Sequence, residues 1–421
     1  MLSKNAILNN MIYLIFTLVI LMNNAYGEKV AFINAKIFDG TSVLKEQAFL
    51  VENERFSLIG TNLQVKSLTN KIVDLKNSFV MPGFIDAHAH IFSLGRSLSI
   101  ISIKNFSLKE ILNILSVAIK NAKPNELIMA RGWDQNLWPN KDFPTAFMLD
   151  KISPNNPVCL IRTDGHAYWV NSFLLKKAHI TSKTLDINGG AIIKDKQQQP
   201  TGILIDNAMD LITPFIKEHE KNNRLKYINK ALDNLAKNGI TSIHDASMDK
   251  DSLQILQNLA HDNKLPLRIY AMLDGNDEAL VEQHLKKGPI INDYLTIRSI
   301  KYFVDGALGS KGALLFDHYL DDCKEKGLQL ISNEQLSKKV QKAVKNNFQV
   351  ATHAIGDKAN SLILDIYENF AKNNARLRIE HAQIITSEDQ KRFNKLNVIA
   401  SMQPIHCISD MHWIKDKINN K

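Results

Sequence analysis

Residues 79–90 read Phe79-Val80-Met81-Pro82-Gly83-Phe84-Ile85-Asp86-Ala87-His88-Ala89-His90, an apolar run that Pro82 and Gly83 interrupt and that ends in His-x-His. Side chains alternate between the two faces of a β-strand, so a strand here directs His88 and His90 to the same side. Imidazole is the commonest metal ligand in proteins. The pattern predicts a metal-binding pair at the end of a buried strand; the alternative is two histidines that merely share a strand face.

Further apolar strands follow this stretch and alternate with helical patterns. The predicted strands cover residues 239–246, 267–272, 297–306, 349–354, 377–382 and 398–404. The helix before the first of them carries Ile228, Leu232 and Leu235 at helical spacing. Alternating strands and helices indicate an α/β fold with a parallel sheet. Together with residues 79–90 this makes about seven strands, where a (β/α)8 barrel has eight.

Polar residues close several of these strands, and barrel active sites lie at the carboxyl ends of the strands. They are His88, His90, Lys301, His353 and His381. A single histidine at such a place is more often a structural hydrogen-bonding group than a ligand. Four histidines on three strands favour a metal site instead.

The sequence allows two interpretations of Lys301, which is expected to be buried. Burial lowers the pKa of a lysine and makes its neutral amine available for covalent chemistry. The alternative is a buried lysine that forms an ion pair with Asp305 or Asp245, because an unpaired buried cation is costly.

The chain also holds regions outside the strand and helix series. Residues 29–80 read as β-rich. More chain lies between about 100 and 240 than one βα unit needs, and it carries Arg131-Gly132-Trp133-Asp134 and Asp164-Gly165-His166. The first motif suits an aromatic-lined pocket edge or a packed turn. In the second, Asp164 and His166 suit contact with substrate, or His166 is an ordinary loop histidine.

Composition and charge argue against nucleic-acid binding and against a disulfide-stabilised fold. The formal net charge is +9, from 52 Lys+Arg and 43 Asp+Glu. Because the lysines are scattered, without a basic helix face or an aromatic-basic stripe, we expect no nucleic-acid binding. The three cysteines form no Cys-x-x-Cys pair and predict no disulfide framework.

The first 27 residues predict an export signal. Lys4 precedes an apolar run from Met11 to Met22, and Ala25-Tyr26-Gly27 offers small residues for a signal peptidase. The run is short for a transmembrane span. We expect cleavage after Gly27, a mature protein in the periplasm and no stable membrane span; an uncleaved anchor is the alternative.

Taken in order, these motifs resemble the amidohydrolase superfamily and, within it, the amidohydrolase family 3 branch, similar to N-substituted formamide deformylases. The matching segments are Val80–His90, Lys301-Tyr302-Phe303-Val304-Asp305-Gly306, His353-Ala354-Ile355-Gly356-Asp357 and Glu380-His381-Ala382-Gln383. The resemblance implies a metal-dependent hydrolase barrel over residues 81–421, incomplete at about seven strands. It also implies a partial β-sandwich over residues 28–80 and an insertion at about residues 104–238 on the substrate side.

The resemblance further implies the chemistry. One divalent metal is held by His88, His90 and Lys301, and a second by Lys301, His353 and His381, with Lys301 carboxylated as the bridge. Zinc suits these donors best, and iron and manganese are the alternatives. A hydroxide between the metals attacks the amide-like carbonyl of a small-molecule substrate. Lys301, His353 and His381 are the catalytic candidates, and the substrate-side candidates are Arg131, Trp133, Asp164 and His166.

The second hypothesis is a truncated, catalytically inactive exported protein that keeps part of the metal site. Members of the family end an eighth strand with an aspartate that serves as metal ligand and base. No such residue is found after Pro404, and Asp410 and Asp416 lie in a polar, helix-like tail. On this hypothesis we expect low activity and marginal stability.

Overall fold

The structure is a computed structural model that describes residues 28–371 and 375–418. The predicted signal peptide lies outside the described residues, so its cleavage stays a prediction. Among the residues described, no helix is both long enough and apolar enough to cross a membrane. The chain divides after Phe84 into two compact units, which are described in turn.

The first unit is a four-stranded sheet. Its strands are β1 (Lys29–Ile37), β2 (Ala48–Glu52), β3 (Arg55–Gly60) and β4 (Ile72–Val80). The order is β3-β2-β1-β4, with β1 antiparallel to β2 and parallel to β4. One short helix, Asn62–Lys66, follows β3 and begins with a capping box between Thr61 and Gln64. A partial β-sandwich for this segment stays a prediction.

All of β5 (Phe84–Ala89) except its first residue belongs to the second unit, and the helix Ile91–Ser99 follows it. The extra chain that follows forms a sheet of six strands. These strands are β6 (Ile101–Ser102), β7 (Ile128–Trp133), β8 (Val158–Arg162), β9 (Ala167–Val170), β10 (Gly190–Lys194) and β11 (Pro200–Asp206). Their order in the sheet is β10-β11-β9-β8-β7-β6. Its α-helices are Leu108–Lys120, Ala146–Asp150 and Ser172–Lys177. Short 3₁₀ helices cover Gln135–Leu137 and Asn207–Leu211.

The remaining strands complete a parallel, nearly closed barrel of seven strands. They are β12 (Ile240–Met248), β13 (Arg268–Asp274), β15 (Leu295–Phe303), β16 (Gln349–Ala354), β17 (Arg378–His381) and β18 (Ile399–Ser401), with the short β14 (Ile290–Ile291) antiparallel to β15. The order is β18-β17-β16-β15-β13-β12-β5. The predicted α/β barrel and its seven strand positions are confirmed.

Helices link the barrel strands and bury their apolar stripes. They are Thr213–Lys237, Lys250–His261, Glu278–Lys287, Asn333–Lys345, Asp357–Glu368 and Ser387–Lys395, and the shorter Ile405–Asp410 and 3₁₀ turn Ile414–Asp416 follow β18. Ile228, Leu232 and Leu235, whose spacing predicted the first of these helices, are all buried in the barrel core. The prediction of that helix is confirmed.

One side chain reaches from β17 to the two strands at the ends of the barrel path. The Arg378 Nη2 group donates to the Ala87 carbonyl of β5 at 2.9 Å and to the Ser401 Oγ of β18 at 2.7 Å. Arg378 is 4% exposed. A buried guanidinium therefore ties the first and last described strands of the barrel together.

Candidate metal centre

The barrel brings the four predicted histidine ligands together. His88 lies in β5 and His90 follows it, while His353 lies in β16 and His381 ends β17. The ring centroids of His88 and His90 are 5.5 Å apart, those of His88 and His381 4.7 Å, and those of His353 and His381 4.5 Å. The parallel pairing of the strands explains this cluster. In the pairing of β16 with β17, Ala354 lies beside His381, and in that of β15 with β16, Phe303 lies beside His353, so the two histidines come from the same end of neighbouring strands.

Two of these rings are oriented through Nδ1. The Nδ1 atom of His88 lies 2.5 Å from Glu380 Oε2, and that of His381 lies 2.6 Å from Gln403 Oε1. A carboxylate or carbonyl oxygen at one ring nitrogen fixes the tautomer and leaves the other nitrogen for a ligand. His88 and His381 are thus arranged to present Nε2.

The other feature that suits metal binding is the charge state of the rings. Burial is the main cause that lowers the pKa of His90 to about 4, of His353 to about 4 and of His381 to about 3. The charge of Lys301 lowers the pKa of His353 further, and mutual repulsion with a protonated His353 lowers the pKa of His381 further. These imidazoles are therefore neutral at neutral pH, which is the form that binds metal.

His353 carries an unsatisfied buried nitrogen. Its Nε2 lies 3.5 Å from Asp305 Oδ1, but without hydrogen-bond geometry, and it has no hydrogen-bond partner among the residues that the structure describes. An unpaired buried polar atom is rare and calls for an explanation such as an ion. The donor set, neutral imidazoles with one nitrogen free, fits a divalent metal of the zinc type. Within residues 28–371 and 375–418, however, no three His, Cys, Asp or Glu side chains are already arranged to hold one ion.

Lys301 lies in β15 and is 1% exposed. Its ammonium nitrogen is 4.6 Å from the centroid of the Phe303 ring. Burial lowers the pKa of Lys301 to about 8, although the carboxylate of Glu380 works against the shift. A larger share of neutral amine is therefore present near neutral pH than an exposed lysine would have.

The two carboxylates considered as partners for Lys301 bind backbone groups instead. Asp305 accepts from the amides of Leu314 at 2.9 Å, Ile355 at 3.0 Å and Gly356 at 2.8 Å. Asp245 accepts from the Ile91 amide at 2.7 Å. Neither forms an ion pair with Lys301 in the part of the chain that the structure describes, so the ion-pair alternative for Lys301 is wrong.

Sequence reasoning missed a buried charge network beside His88. Glu380 is 0% exposed, and its Oε1 accepts from Arg378 Nε at 2.6 Å. Arg378 also contacts the Nδ1 of His244 at 2.9 Å. Burial alone would raise the pKa of Glu380, but hydrogen bonds from His88 and Arg378 outweigh it and lower the pKa to about 2. Opposite charges two residues apart in an apolar strand were the available signal, since such residues share a face.

The backbone at His381 is also unusual. His381 has φ of 71° and Ala382 has φ of 44°, in the left-handed region. Non-glycine residues are held there only where the surroundings determine the conformation, and such residues cluster at functional sites. The end of β17 therefore carries local backbone strain at the histidine cluster.

The predicted substrate residues lie in the six-stranded sheet region, where the Arg131 side chain lies next to Gly165, between Asp164 and His166. Arg131 lines a cavity of about 340 Å³. Trp133 is 0% exposed, and its indole nitrogen donates to the Leu160 carbonyl at 2.9 Å. Asp164 pairs with Arg162, and His166, with a side chain 73% exposed, pairs with Asp206 at 2.8 Å.

The structure differs from the prediction at Trp133. The ring packs against Trp138 and Trp169, with centroids 6.4 Å and 6.2 Å away. In this conformation the ring offers no surface to a ligand. Of the two interpretations of the Arg131-Gly132-Trp133-Asp134 motif, a pocket edge or a packed turn, Trp133 therefore follows the packed one. Contact of the other three side chains with substrate stays a prediction.

Comparison with known proteins agrees with this architecture. The amidohydrolase family profile matches residues 71–421. Protein LONG AFTER FAR-RED 3 of Arabidopsis thaliana is 34% identical over 408 residues, 92% of this chain and 70% of that protein. The N-substituted formamide deformylase of Arthrobacter pascens is 26% identical over 373 residues, 84% of this chain and 68% of that enzyme.

A solved structure shares the fold. The uncharacterized metal-dependent hydrolase from Pyrococcus furiosus superposes with a TM-score of 0.78 at 28% identity, and the match covers 93% of this chain and 80% of that one. The sequence match extends over most of the chain, and the structural match includes a metal-dependent hydrolase. The chain is therefore an amidohydrolase enzyme and belongs to the amidohydrolase family, in its family 3 branch.

Proposed function

We propose that this hydrolase cleaves carbon–nitrogen bonds other than peptide bonds in small amide- or formamide-like molecules. The observation that carries the proposal is the convergence of four histidine rings, three of them with a strongly lowered pKa, beside a buried lysine. Similarity to an N-substituted formamide deformylase supports the choice of substrate class.

His88, His90, His353 and His381 hold divalent metal in this proposal, with Lys301 as the fifth protein ligand. Neutral nitrogen donors favour zinc over magnesium or calcium, which prefer oxygen. A bound divalent ion would supply Lewis-acid activation of the amide carbonyl and of water.

Side chains behind the histidines prepare them for this role. Glu380 orients the His88 ring through Nδ1, and Gln403 does the same for His381. A ligand held in one orientation loses less entropy when the ion binds. The network of Arg378 in turn fixes Glu380 through two hydrogen bonds, at 2.6 Å and 3.2 Å.

Lys301 is carboxylated in the active form. The neutral Nζ attacks the carbon of carbon dioxide and forms an N–C bond, while the electron pair of one C=O π bond moves onto oxygen. One N–H bond then breaks and its proton leaves to solvent, which gives an anionic carbamate. Burial supports this step because it lowers the Lys301 pKa to about 8.

The proposal is tested by release of amine from a panel of N-formyl and N-acyl amines, with zinc-loaded protein in bicarbonate buffer. We expect turnover that His353→Ala abolishes, because His353 supplies a ligand. His261→Ala is the matched control, since the His261 side chain is 89% exposed on a helix end. Native protein that binds zinc but releases no amine from any substrate would contradict the proposal and favour the inactive alternative.

A further inference from the structure

A second cavity lies at the opposite end of the barrel from the histidines. It measures about 820 Å³, and its wall includes the first residues of several strands, among them Thr296 of β15 and Gln349 of β16. None of the predicted metal ligands lines it. Small-molecule sites have volumes of roughly 300–1,000 Å³, so the cavity is large enough for a metabolite.

The wall of this cavity is strongly cationic. Arg298, Lys345 and Arg376 line it, and each is exposed. None of the three forms an ion pair with the described residues, whereas the fourth cation, Arg378, is paired with Glu380. No Asp or Glu is found among the described lining residues. The residues outside the described ranges contain no Asp or Glu either, so no carboxylate side chain there can neutralise the wall.

Three of the arginines in this wall influence the Tyr270 phenol. Burial raises the pKa of Tyr270, and the positive charges of Arg298, Arg378 and Arg376 oppose that rise. The arginines therefore lie close enough to the phenol to influence its ionisation. Glu380 offsets the charge of Arg378, but the described residues supply no such partner for Arg298 and Arg376, whose positive fields therefore add in the cavity.

Hydrogen bonds hold the wall in place. The Tyr270 hydroxyl donates to Gln349 Oε1 at 2.8 Å, and Gln349 Nε2 donates to the Arg376 carbonyl at 2.5 Å. Arg298 donates through Nε to the Asn347 carbonyl at 3.3 Å. The terminal amino groups of Arg298 and Arg376 have no hydrogen-bond partner within residues 28–371 and 375–418, so they are available for a ligand.

From this geometry we infer that the cavity at the amino-terminal ends of the barrel strands binds a small organic anion that carries a phosphate group. Guanidinium groups match phosphate oxygens with two parallel hydrogen bonds, and the field of several cations favours a doubly charged group over a singly charged one. Tyr270 and Phe370, which also line the cavity, offer apolar surface to the organic part of the ligand.

Binding of inorganic pyrophosphate to the zinc-loaded protein tests the inference by isothermal titration calorimetry, with acetate as a singly charged comparison. We expect saturable pyrophosphate binding at low salt that weakens as sodium chloride is raised. The double variant Arg298→Gln, Arg376→Gln should bind pyrophosphate about tenfold more weakly or worse, because each guanidinium supplies charge-assisted hydrogen bonds.

Two further variants locate the binding. Lys338→Gln, which removes an exposed cation paired with Glu334 outside the cavity, should bind pyrophosphate as the native protein does. The double variant His88→Ala, His90→Ala should also retain binding, which excludes chelation at the metal centre. The inference is overturned if the native protein gives no saturable binding, if the arginine double variant binds equally well, or if the histidine double variant loses the binding.

Discussion

Replacing Glu380 with Gln separates the structural role of this carboxylate from its role behind His88. Glu380 has a side chain that is 0% exposed, and it contacts His88 at 2.5 Å and Arg378 at 2.6 Å. Gln keeps the size of the side chain but removes the charge. Arg378 is then left as a buried cation without a charged partner. Gln has one carbonyl oxygen where Glu380 has two carboxylate oxygens, so either Arg378 or His88 faces an amide NH2 group instead of an acceptor.

The size of the stability loss follows from the pKa. Glu380 is lowered from 4.5 to about 2, and each pKa unit corresponds to 1.36 kcal/mol, so the charged form contributes about 3 kcal/mol. Breaking a buried ion pair by removing one partner costs roughly 3–5 kcal/mol, in agreement. Because the folded pKa is lower than the unfolded one, this contribution is complete above about pH 4.5 and is lost as the pH falls towards 2.

Two assays check the prediction. Urea denaturation of metal-free protein should show Glu380→Gln destabilised by about 3 kcal/mol at pH 7, with the difference shrinking below about pH 4. Competition with a chelator should show zinc binding weakened about 10- to 100-fold, as for other groups that orient a metal-binding histidine.

Asp389→Asn is the matched control. Asp389 is 3% exposed and pairs with Arg392 at 3.1 Å, in a helix without a predicted ligand. We expect this variant to lose stability while it keeps the zinc affinity of the native protein. The reasoning is refuted if Glu380→Gln binds zinc as tightly as the native protein, or if Asp389→Asn weakens zinc binding to the same extent.

Three further predictions concern Lys301, Asp245 and the N-terminus. A crystal grown with bicarbonate and zinc should show a carbamate on Lys301; a bare ammonium would contradict it. Burial raises the Asp245 pKa to about 7, so the unfolded chain releases this proton first and stability should fall as the pH rises from about 4 to 7. In metal-free Asp245→Asn, urea denaturation across this range should show a shallower fall, and an unchanged slope would refute the assignment. N-terminal sequencing of exported protein should begin at Glu28, and an intact Met1 would instead indicate an anchor.

The sequence was sufficient to predict the barrel because the barrel strands are apolar, alternate with helical segments and end in polar residues. It was also sufficient to place His88, His353 and His381 in one cluster, since parallel strands end at the same edge. It could not reveal that His88 pairs with Glu380, because these residues are 292 positions apart. Strand periodicity predicts the face on which a side chain lies but not the partner that it meets there.

Trp133 shows a second limit. In a regular strand Arg131 and Trp133 would share a face, and both were predicted to line a pocket. The pairing of β7 with β8 shifts register between these two residues, and Gly132 has φ of 116°. The irregularity leaves Arg131 exposed and turns Trp133 into the core. A glycine inside a strand signals such a bulge without saying which neighbour it reorients.

The most direct test of the central claim is an anomalous difference map from a crystal of the protein soaked with zinc. We expect a peak among the rings of His88, His353 and His381, adjacent to Lys301. In a second map, from the double variant His88→Ala, His90→Ala, we expect that peak to be lost or strongly reduced. No peak at the histidine cluster of the native protein, or an equally strong peak there in the double variant, would contradict the assignment of this end of the barrel as the metal centre.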